Sequence, residues 1–276
     1  MYALSPATPV LLRPDGAVQV GWDPRRAVLV RPPHGITVNV VADLLRSMQS
    51  GATMAELHAR ADGVDATVVA EMVASLVDSG VVTARSGRPT RAASIRIHGR
   101  GPLSDLLTGA LRCSGARITH SARTHAGAPS EATDLVVLTD YLVSDPRVVR
   151  DLHAAGVAHL AVRVRDGAGL VGPLVIPGVT SCLGCADLYR SDRDAAWPAV
   201  AAQLRDIVGS ADRATVLATA ALALNQVDRV IRAVRGGVEI GGAQEPPPTL
   251  NTTLEFDVST GTTVARRWSR HPRCTC

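Results

Sequence analysis

The stretch Val175-Ile-Pro-Gly-Val-Thr-Ser-Cys-Leu-Gly-Cys185 decides the fold of the second half of the chain. It ends in a C-x-x-C pair, and the sequence ends in a C-x-C pair, Cys274-Thr-Cys276. Each spacing can place two sulfurs on one side of a turn, so the two pairs together can surround one ion tetrahedrally. Zinc suits a site of four sulfurs. The two pairs are too far apart for a zinc finger, so the metal would tie the last strand to a loop of the same domain.

Cys182, Cys185, Cys274 and Cys276 are therefore the predicted ligands of a structural zinc ion, and iron is the alternative metal. The other interpretations are two unrelated pairs of buried or disulfide cysteines, or redox use of the dithiols. The fifth cysteine, Cys113, lies in a helical pattern, and we expect it to be an inert core residue. His271, beside the last pair, is a substitute ligand to be tested.

Composition limits the partners and the compartment. Of the 276 residues, 46% are hydrophobic, which is enough for sizeable cores, and no apolar run is long enough for a membrane span. The first residues lack the basic and apolar regions of a signal peptide, so we expect a cytoplasmic protein with reduced thiols. The net charge is +4, but the chain has no lysine and its arginines are mostly scattered among acids. This scatter argues against a nucleic-acid partner.

The chain divides into two predicted domains, 1–85 and 94–276, joined by a polar linker at 86–93 that is broken by Gly and Pro. The first domain reads as three short strands, three helices and a closing strand, which is winged-helix order. Thr53 with Glu56 forms a capping box, and Asp65 is placed to cap the third helix. The predicted strands are Val10–Leu12, Val18–Val20 and Ala27–Val30, before a helix from Ile36 to Met48 and a final strand at Val81–Thr83.

The second domain alternates strands and helices, which predicts a mostly parallel sheet covered on both faces. It opens with the strand Ser94–His98, a glycine turn at Gly99–Ser104 and a helix, as dinucleotide-binding folds do. The later predicted helices are 195–208 and 212–234, and a hairpin of 250–258 with 262–268 leads to the last cysteines. The predicted fold class is α/β, a winged-helix domain followed by a Rossmann-like domain with a structural zinc site.

The first domain resembles the RiPP recognition element, a PqqD-like winged-helix domain that captures leader peptides of ribosomally made, modified peptides. The resemblance lies in Gln19-Val-Gly-Trp-Asp-Pro24, the Leu44-Leu45 helix, and the turns at Gly51–Leu57 and Leu76–Val82. In that family the leader adds as a β-strand and leans on the third helix. The resemblance implies a peptide cleft formed by Ala27, Val28, Leu29 and Val30, opposite Val69, Met72, Val73 and Leu76.

The second domain is similar to the ThiF-like fold of ubiquitin-activating and sulfur-carrier-activating enzymes. The stretch Thr180-Ser-Cys-Leu-Gly-Cys-Ala-Asp-Leu-Tyr-Arg-Ser-Asp-Arg-Asp-Ala-Ala-Trp-Pro198 resembles, more narrowly, the ThiF-like proteins of azole-forming (TOMM) peptide biosynthesis. Those proteins bind leader peptides and work with a YcaO-type cyclodehydratase, sometimes as fused parts. The resemblance implies an adaptor that presents a precursor leader peptide to a YcaO-type enzyme, and a second copy of the chain is a further candidate partner.

Only remnants of a nucleotide site are visible, at Gly99, Gly101 and Asp140. Pro102 and Leu103 stand where small residues would let a pyrophosphate approach, and no acid ends the second strand to bind a ribose. We therefore expect no catalytic residue and no use of ATP and magnesium. The alternatives are an active ATP-dependent adenylyltransferase or cyclodehydratase component, and a winged-helix DNA-binding regulator. Arg190 and the run Asp192-Arg-Asp194 are expected to form surface ion pairs, with a docking surface as the alternative.

Overall fold

The computed structural model describes residues 1–86, 91–122, 132–235, 238–240 and 246–276. They belong to two compact units, the first made of Met1–Thr90 with Gly236–Glu245, the second of Arg91–Arg235 with Pro246–Cys276. The predicted linker falls partly on residues 87–90, outside the described residues. The domain limits drawn at 85 and 94 therefore stay a prediction.

The first unit contains two small sheets and three helices. The strands β2, β3 and β4 form one antiparallel sheet in that order, and β5 lies between β1 and β11 in the other. In chain order the elements are β1 (Tyr2–Ala3), β2 (Val10–Leu12), β3 (Val18–Val20), β4 (Val28–Val30), α1 (Val38–Gln49), α2 (Met54–Arg60), α3 (Ala66–Asp78), β5 (Thr83–Ser86) and, from late in the chain, β11 (Val238–Ile240).

Helices α2 and α3 of this unit begin where the sequence predicts, whereas α1 begins at Val38, after the predicted start at Ile36. The Thr53 hydroxyl accepts the Glu56 amide, and the Glu56 carboxylate accepts the Thr53 amide in return, which completes the predicted capping box. The Asp65 carboxylate accepts the Thr67 amide at the start of α3. These caps satisfy amides that a helix leaves unpaired at its first turn.

The apolar stripe of α3 lies inside the core of the first unit. Val69 and Val73 are fully buried, and Met72 and Leu76 are no more than 5% exposed. As packed here, these four side chains hold the unit together and are closed to a ligand. The exposed positions of α3 lie on its other side, where Ala74 is one of them.

The second unit is built on one seven-stranded sheet in the order β13-β12-β10-β9-β8-β6-β7. The pairs β7/β6, β6/β8 and β8/β9 are parallel, and β10, β12 and β13 continue the sheet antiparallel. The strands are β6 (Ser94–His98), β7 (Arg117–Ser121), β8 (Leu135–Thr139), β9 (His159–Arg165), β10 (Ala168–Val175), β12 (Thr252–Asp257) and β13 (Thr262–Arg267). This mixed sheet fits a Rossmann-like α/β domain.

Helices cover both faces of this sheet, as predicted. The helices are α4 (Pro102–Leu111), α5 (Pro146–Ala154), α6 (Leu183–Arg193), α7 (Trp197–Leu204) and α8 (Arg213–Arg235). Strand β8 shows the arrangement, because Leu135 and Val137 join the core beneath α4 and α8, while Val136 and Leu138 join the core beneath α5 and α6. Side chains alternate along a strand, so a strand buried on both faces is apolar throughout.

Three sequence-based expectations need correction. Helix α6 was not predicted, and α7 is shorter than the predicted helix 195–208. Cys113 lies beyond the end of α4 and is exposed, so its expected place in the core was wrong.

In the part of the chain that the structure describes, no helix combines the length and apolarity that crossing a membrane requires.

The burial of α3 can be tested with two charges on the same helix. Val73→Glu puts a carboxylate at a fully buried position, and we expect it to lower the free energy of unfolding by roughly 3 kcal/mol or more. Ala74→Glu is the matched control, at an exposed position, and should change it by less than about 0.5 kcal/mol. Denaturant unfolding followed by circular dichroism measures both. Equal stabilities for the two variants would contradict this packing.

Candidate metal centre and the glycine turn

The four predicted ligand cysteines converge in the second unit. The Sγ atoms of Cys182 and Cys185 lie 3.8 Å apart, and those of Cys182 and Cys274 lie 3.5 Å apart. The Sγ atoms of Cys185 and Cys276 are also 3.5 Å apart, and all four lie within 4.8 Å of one another. A tetrahedral zinc ion with bonds of about 2.3 Å to sulfur separates its ligands by about 3.8 Å. The four cysteines can therefore hold a metal ion, and their arrangement is compatible with zinc.

Local structure sets the first cysteine pair. Cys182 is the N-cap of α6, and its Sγ accepts the backbone amide of Cys185 at 3.3 Å. The preceding residue, Ser181, donates its amide to the Asn251 side chain at 2.7 Å and its hydroxyl to the same oxygen at 3.0 Å. The C-x-x-C pair therefore sits on the first turn of a helix whose start is fixed to the segment before β12.

The second pair is held by a buried histidine that is not a ligand here. The His271 ring is 4% exposed, its Nε2 lies 2.8 Å from the Asp192 carboxylate, and its Nδ1 accepts the Arg273 amide at 3.1 Å. Because both ring nitrogens are engaged elsewhere, the substitute-ligand reading of His271 was wrong. Asp192 also pairs with the Arg273 guanidinium, so this one carboxylate attaches the C-terminal segment to α6.

The thiols differ in how readily they ionise. Burial raises the pKa of Cys182, and burial together with the neighbouring Cys185 thiol raises that of Cys276. Burial also opposes ionisation of Cys185, yet backbone hydrogen bonds at His271 and Cys182 outweigh it and lower the Cys185 pKa to about 7. One thiolate therefore forms easily, and a bound cation would stabilise the further negative charges that close contact disfavours.

The glycine turn carries the other predicted remnants, and here an internal carboxylate is already in place. Asp140 follows β8 and is 1% exposed. One of its carboxylate oxygens accepts the Leu103 amide at 2.9 Å, and the other accepts the Ser104 amide at 3.1 Å. These amides belong to the first turn of α4, where a dinucleotide-binding fold places a pyrophosphate. Asp140 therefore acts as an anion built into the helix N-terminus.

The turn is also closely packed. A Cβ atom at Gly99 would overlap the Thr139 hydroxyl, and one at Gly101 would lie 2.7 Å from the Asp140 carboxylate. The amide of Gly209 donates to the Asp140 carbonyl at 2.9 Å and brings a covering segment over the turn. A cavity at the neighbouring strand ends, lined in part by His98 and Thr139, has a volume of about 20 Å³. That volume is about the size of one water molecule.

The predicted peptide-binding residues separate into two groups. The first comprises β4 and Ala27 just before it: Ala27 is half-buried, Val30 is buried, and Val28 and Leu29 are 37% and 47% exposed. The α3 group is the core stripe described above. Sequence reasoning gave no role to Ser181 or Asn251, and for Asp192 it expected only a surface ion pair. The charged run at 190–194 could point to an ion pair of Asp192. It could not identify the partner, because His271 lies 79 residues further along the chain.

Comparison with known proteins gives similarity at the level of structure. No protein-family profile matches the chain, and no curated protein sequence does. A heterocyclase in complex with substrate and cofactor covers 99% of this chain with a TM-score of 0.67 and 16% identity. The heterocyclase TruD does so with a TM-score of 0.67 and 17% identity. This chain spans 39% and 42% of those two chains, about two fifths of their length.

A third similar structure is that of E. coli MccB with ATP. It covers 99% of this chain and is itself covered over 98% of its length, with a TM-score of 0.58 and 12% identity. At these identities the similarity shows a shared fold.

The cysteine cluster can be tested by removing one sulfur. We expect one zinc ion per chain by elemental analysis of the purified protein. Cys185→Ser should lose the metal and lower Tm by roughly 10 °C, because the last residues are no longer tied to α6. Cys113→Ser is the matched control, since Cys113 is exposed and outside the cluster. Metal-free wild-type protein, or an unchanged Tm for Cys185→Ser, would refute the site.

Proposed function

We propose that this chain is a ThiF-like protein of azole-forming peptide biosynthesis that binds a leader peptide and presents the precursor to a YcaO-type cyclodehydratase. In this proposal the first unit is a winged-helix recognition element and captures the leader. The second unit is a scaffold, stabilised by structural zinc. A cytoplasmic location and a second copy of the chain as partner remain predictions.

The exposed edge of β4 is the observation that carries the proposal. Among the described residues β4 pairs only with β3, so the backbone groups of its other side are available to an added strand. The register places Val28 beside Val20 and Val20 beside Val10, on the inner face of the sheet. Val10 and Val20 are buried, whereas Val28 is 37% exposed. The core is thus uncovered at this edge, where a peptide strand could bury apolar side chains.

The opposite edge of the same sheet fits an added strand less well. There the Arg46 guanidinium donates to the Val10 carbonyl at 3.4 Å, and the Gln49 amide donates to the Thr8 carbonyl at 2.8 Å. Side chains of α1 therefore already use acceptors along β2 and the residue run before it. This difference favours β4 as the strand that receives a leader.

The similarity to heterocyclases supports the choice of partner. Both heterocyclase structures match this chain over nearly its whole length, while most of each heterocyclase lies outside the match. We propose that cyclodehydration takes place on a YcaO-type portion corresponding to that unmatched part. The residues of the present chain would supply peptide capture and positioning.

An active adenylyltransferase is the second candidate, favoured by the similarity to MccB with ATP over both whole chains. Adenylation needs room for a triphosphate and cationic groups to stabilise its charge. In this chain the α4 amides are occupied by Asp140, and the adjoining cavity is about 20 Å³. These two features favour the scaffold over the activating enzyme.

An inward-pointing charge at the edge tests strand addition. Val28→Lys should weaken binding of a labelled leader peptide, chosen from precursor genes found near this one, at least 10-fold, because a charge on the inner face of an edge strand blocks pairing. Leu12→Lys, on the inner face of β2, is the matched control, with an exposure of 50% against 37%, and should bind normally. Fluorescence anisotropy gives both affinities, and circular dichroism checks the fold. Weaker binding by Leu12→Lys alone would move the peptide to β2 and contradict the proposal.

A further inference from the structure

The second unit contains a large cavity beside the cysteine cluster. Its volume is about 1200 Å³, at or above the upper end of the roughly 300–1,000 Å³ typical of ligand pockets. Its walls come from the loop after β8, the end of β9, and the helices α5, α6 and α7. Trp268 and the cysteines Cys182, Cys274 and Cys276 complete the lining. This cavity is separate from the residues that carry the proposed function, which lie in the first unit.

Positive charge predominates in this cavity. Its lining includes five arginines and three aspartates: Arg150, Arg163, Arg165, Arg190 and Arg193, with Asp166, Asp187 and Asp194. The aspartates are largely engaged. Asp187 accepts from the Arg190 guanidinium at 2.7 Å, Asp194 accepts the Ala196 amide at 2.9 Å, and Asp166 lies 3.8 Å from Arg165. Five arginines against three aspartates leave the lining with an excess of two positive charges.

Arg163 is a half-buried arginine of this lining. Its guanidinium donates to the Leu142 carbonyl at 2.9 Å, and it forms no ion pair with the described residues. Burial, followed by the neighbouring Arg190 charge, lowers the pKa of Arg163 to about 10. A guanidinium carries five N–H donors, so most of those on Arg163 remain for a ligand. A carboxylate binds such a fork with two parallel hydrogen bonds.

Arg190 lies close to two aromatic rings. Its guanidinium lies 5.1 Å from the centre of the Trp197 ring and 5.4 Å from that of Trp268. The Trp197 indole also donates to Asp187 at 3.2 Å. Arg190 and Asp192 do form ion pairs, as expected, with Asp187 and Arg273 respectively, and Arg190 also lines the cavity.

We propose that this cavity binds an acidic peptide segment. Arg163 would take a carboxylate of the segment, and neighbouring arginines of the lining would supply further positive charge. Apolar side chains of the peptide would pack on the tryptophans and on the aliphatic part of the lining, which includes Val143, Val149, Leu183 and Leu204. A peptide suits this mixture better than inorganic phosphate, because the site offers extensive apolar surface next to its cations.

Tryptophan fluorescence can report on the cavity directly. The chain has three tryptophans, and Trp22 in the first unit is 76% exposed. In the Trp22→Phe protein the signal comes only from Trp197 and Trp268, both in the cavity lining. The probe is an acetylated octapeptide of alternating Glu and Leu, with a matched peptide in which Gln replaces each Glu. We expect a saturable change with the acidic peptide and at least 10-fold weaker binding of the Gln peptide.

The variants are compared in the same Trp22→Phe background. Arg163→Gln should weaken binding of the acidic peptide at least 10-fold. Arg163→Lys keeps the charge without the fork, so its affinity should lie between those of the Trp22→Phe protein and Arg163→Gln. Arg267→Gln is the control, because Arg267 is exposed on β13 and outside the cavity. Val28→Lys should also bind this probe normally, which separates the cavity from strand addition in the first unit. If Arg163→Gln fails to fold, Arg150→Gln, which removes another arginine of the lining, replaces it in this comparison.

Several results would overturn the proposal. Equal affinity for the acidic peptide and the Gln peptide would show that the cavity does not recognise the carboxylates. Displacement of the probe by inorganic phosphate at lower concentration than by the acidic peptide would make the cavity a phosphate site. A change of oligomeric state in Arg163→Gln, measured by sedimentation without peptide, would assign the cavity to a second copy of the chain.

Discussion

Four sulfur atoms, contributed by residues 182, 185, 274 and 276, lie within 4.8 Å of one another, and the second unit depends on that contact. Thiolates this close repel one another, and a cation bound by all four would offset that repulsion. Holding the sulfurs together fixes the start of α6 and the end of the chain at the same time. Trp268 then comes within 5.4 Å of Arg190, so the wall of the large cavity is a consequence of the cysteine cluster.

A second constraint operates at the start of α4. The first amides of a helix attract negative charge, and this attraction makes helix N-termini suitable for phosphate. Asp140 satisfies two of those amides from another strand, so the charge that a ligand would bring is already supplied. The position where a dinucleotide-binding fold places a phosphate is thus occupied here by an internal carboxylate. The large cavity, with its excess of arginine, lies elsewhere in the same unit.

Local patterns predicted much of this structure. The alternating strand Ser94–His98, the capped helices of the first unit and the covered parallel strands were all visible as periodicity and caps. Helix α6 was missed because only Leu183, Cys185 and Ala186 are buried along it, which leaves too little apolar periodicity to recognise. The capping of α4 by Asp140 was also out of reach, since it joins residues 36 and 37 positions apart.

The two candidate sites were predicted to different degrees. The cysteine ligands could be proposed from spacing, because two close pairs of one residue type are a strong local signal. The cleft was harder, since Val73 and its neighbours on α3 show the same stripe whether they line a groove or fill a core. Arg163 and Arg190 were not linked, because nothing local connects a strand arginine to one on a helix that was itself unpredicted.

The central claim is that the second unit positions a peptide without activating it by ATP. Release of AMP and pyrophosphate, measured after incubation with radiolabelled ATP, magnesium and the leader-bearing precursor, tests this claim most directly. We predict no release above the level of a protein-free blank, together with no bound ATP after rapid filtration. Release of one AMP per chain or more would show that a nucleotide can displace the Asp140 carboxylate from the start of α4. The chain would then be an activating enzyme and not a scaffold.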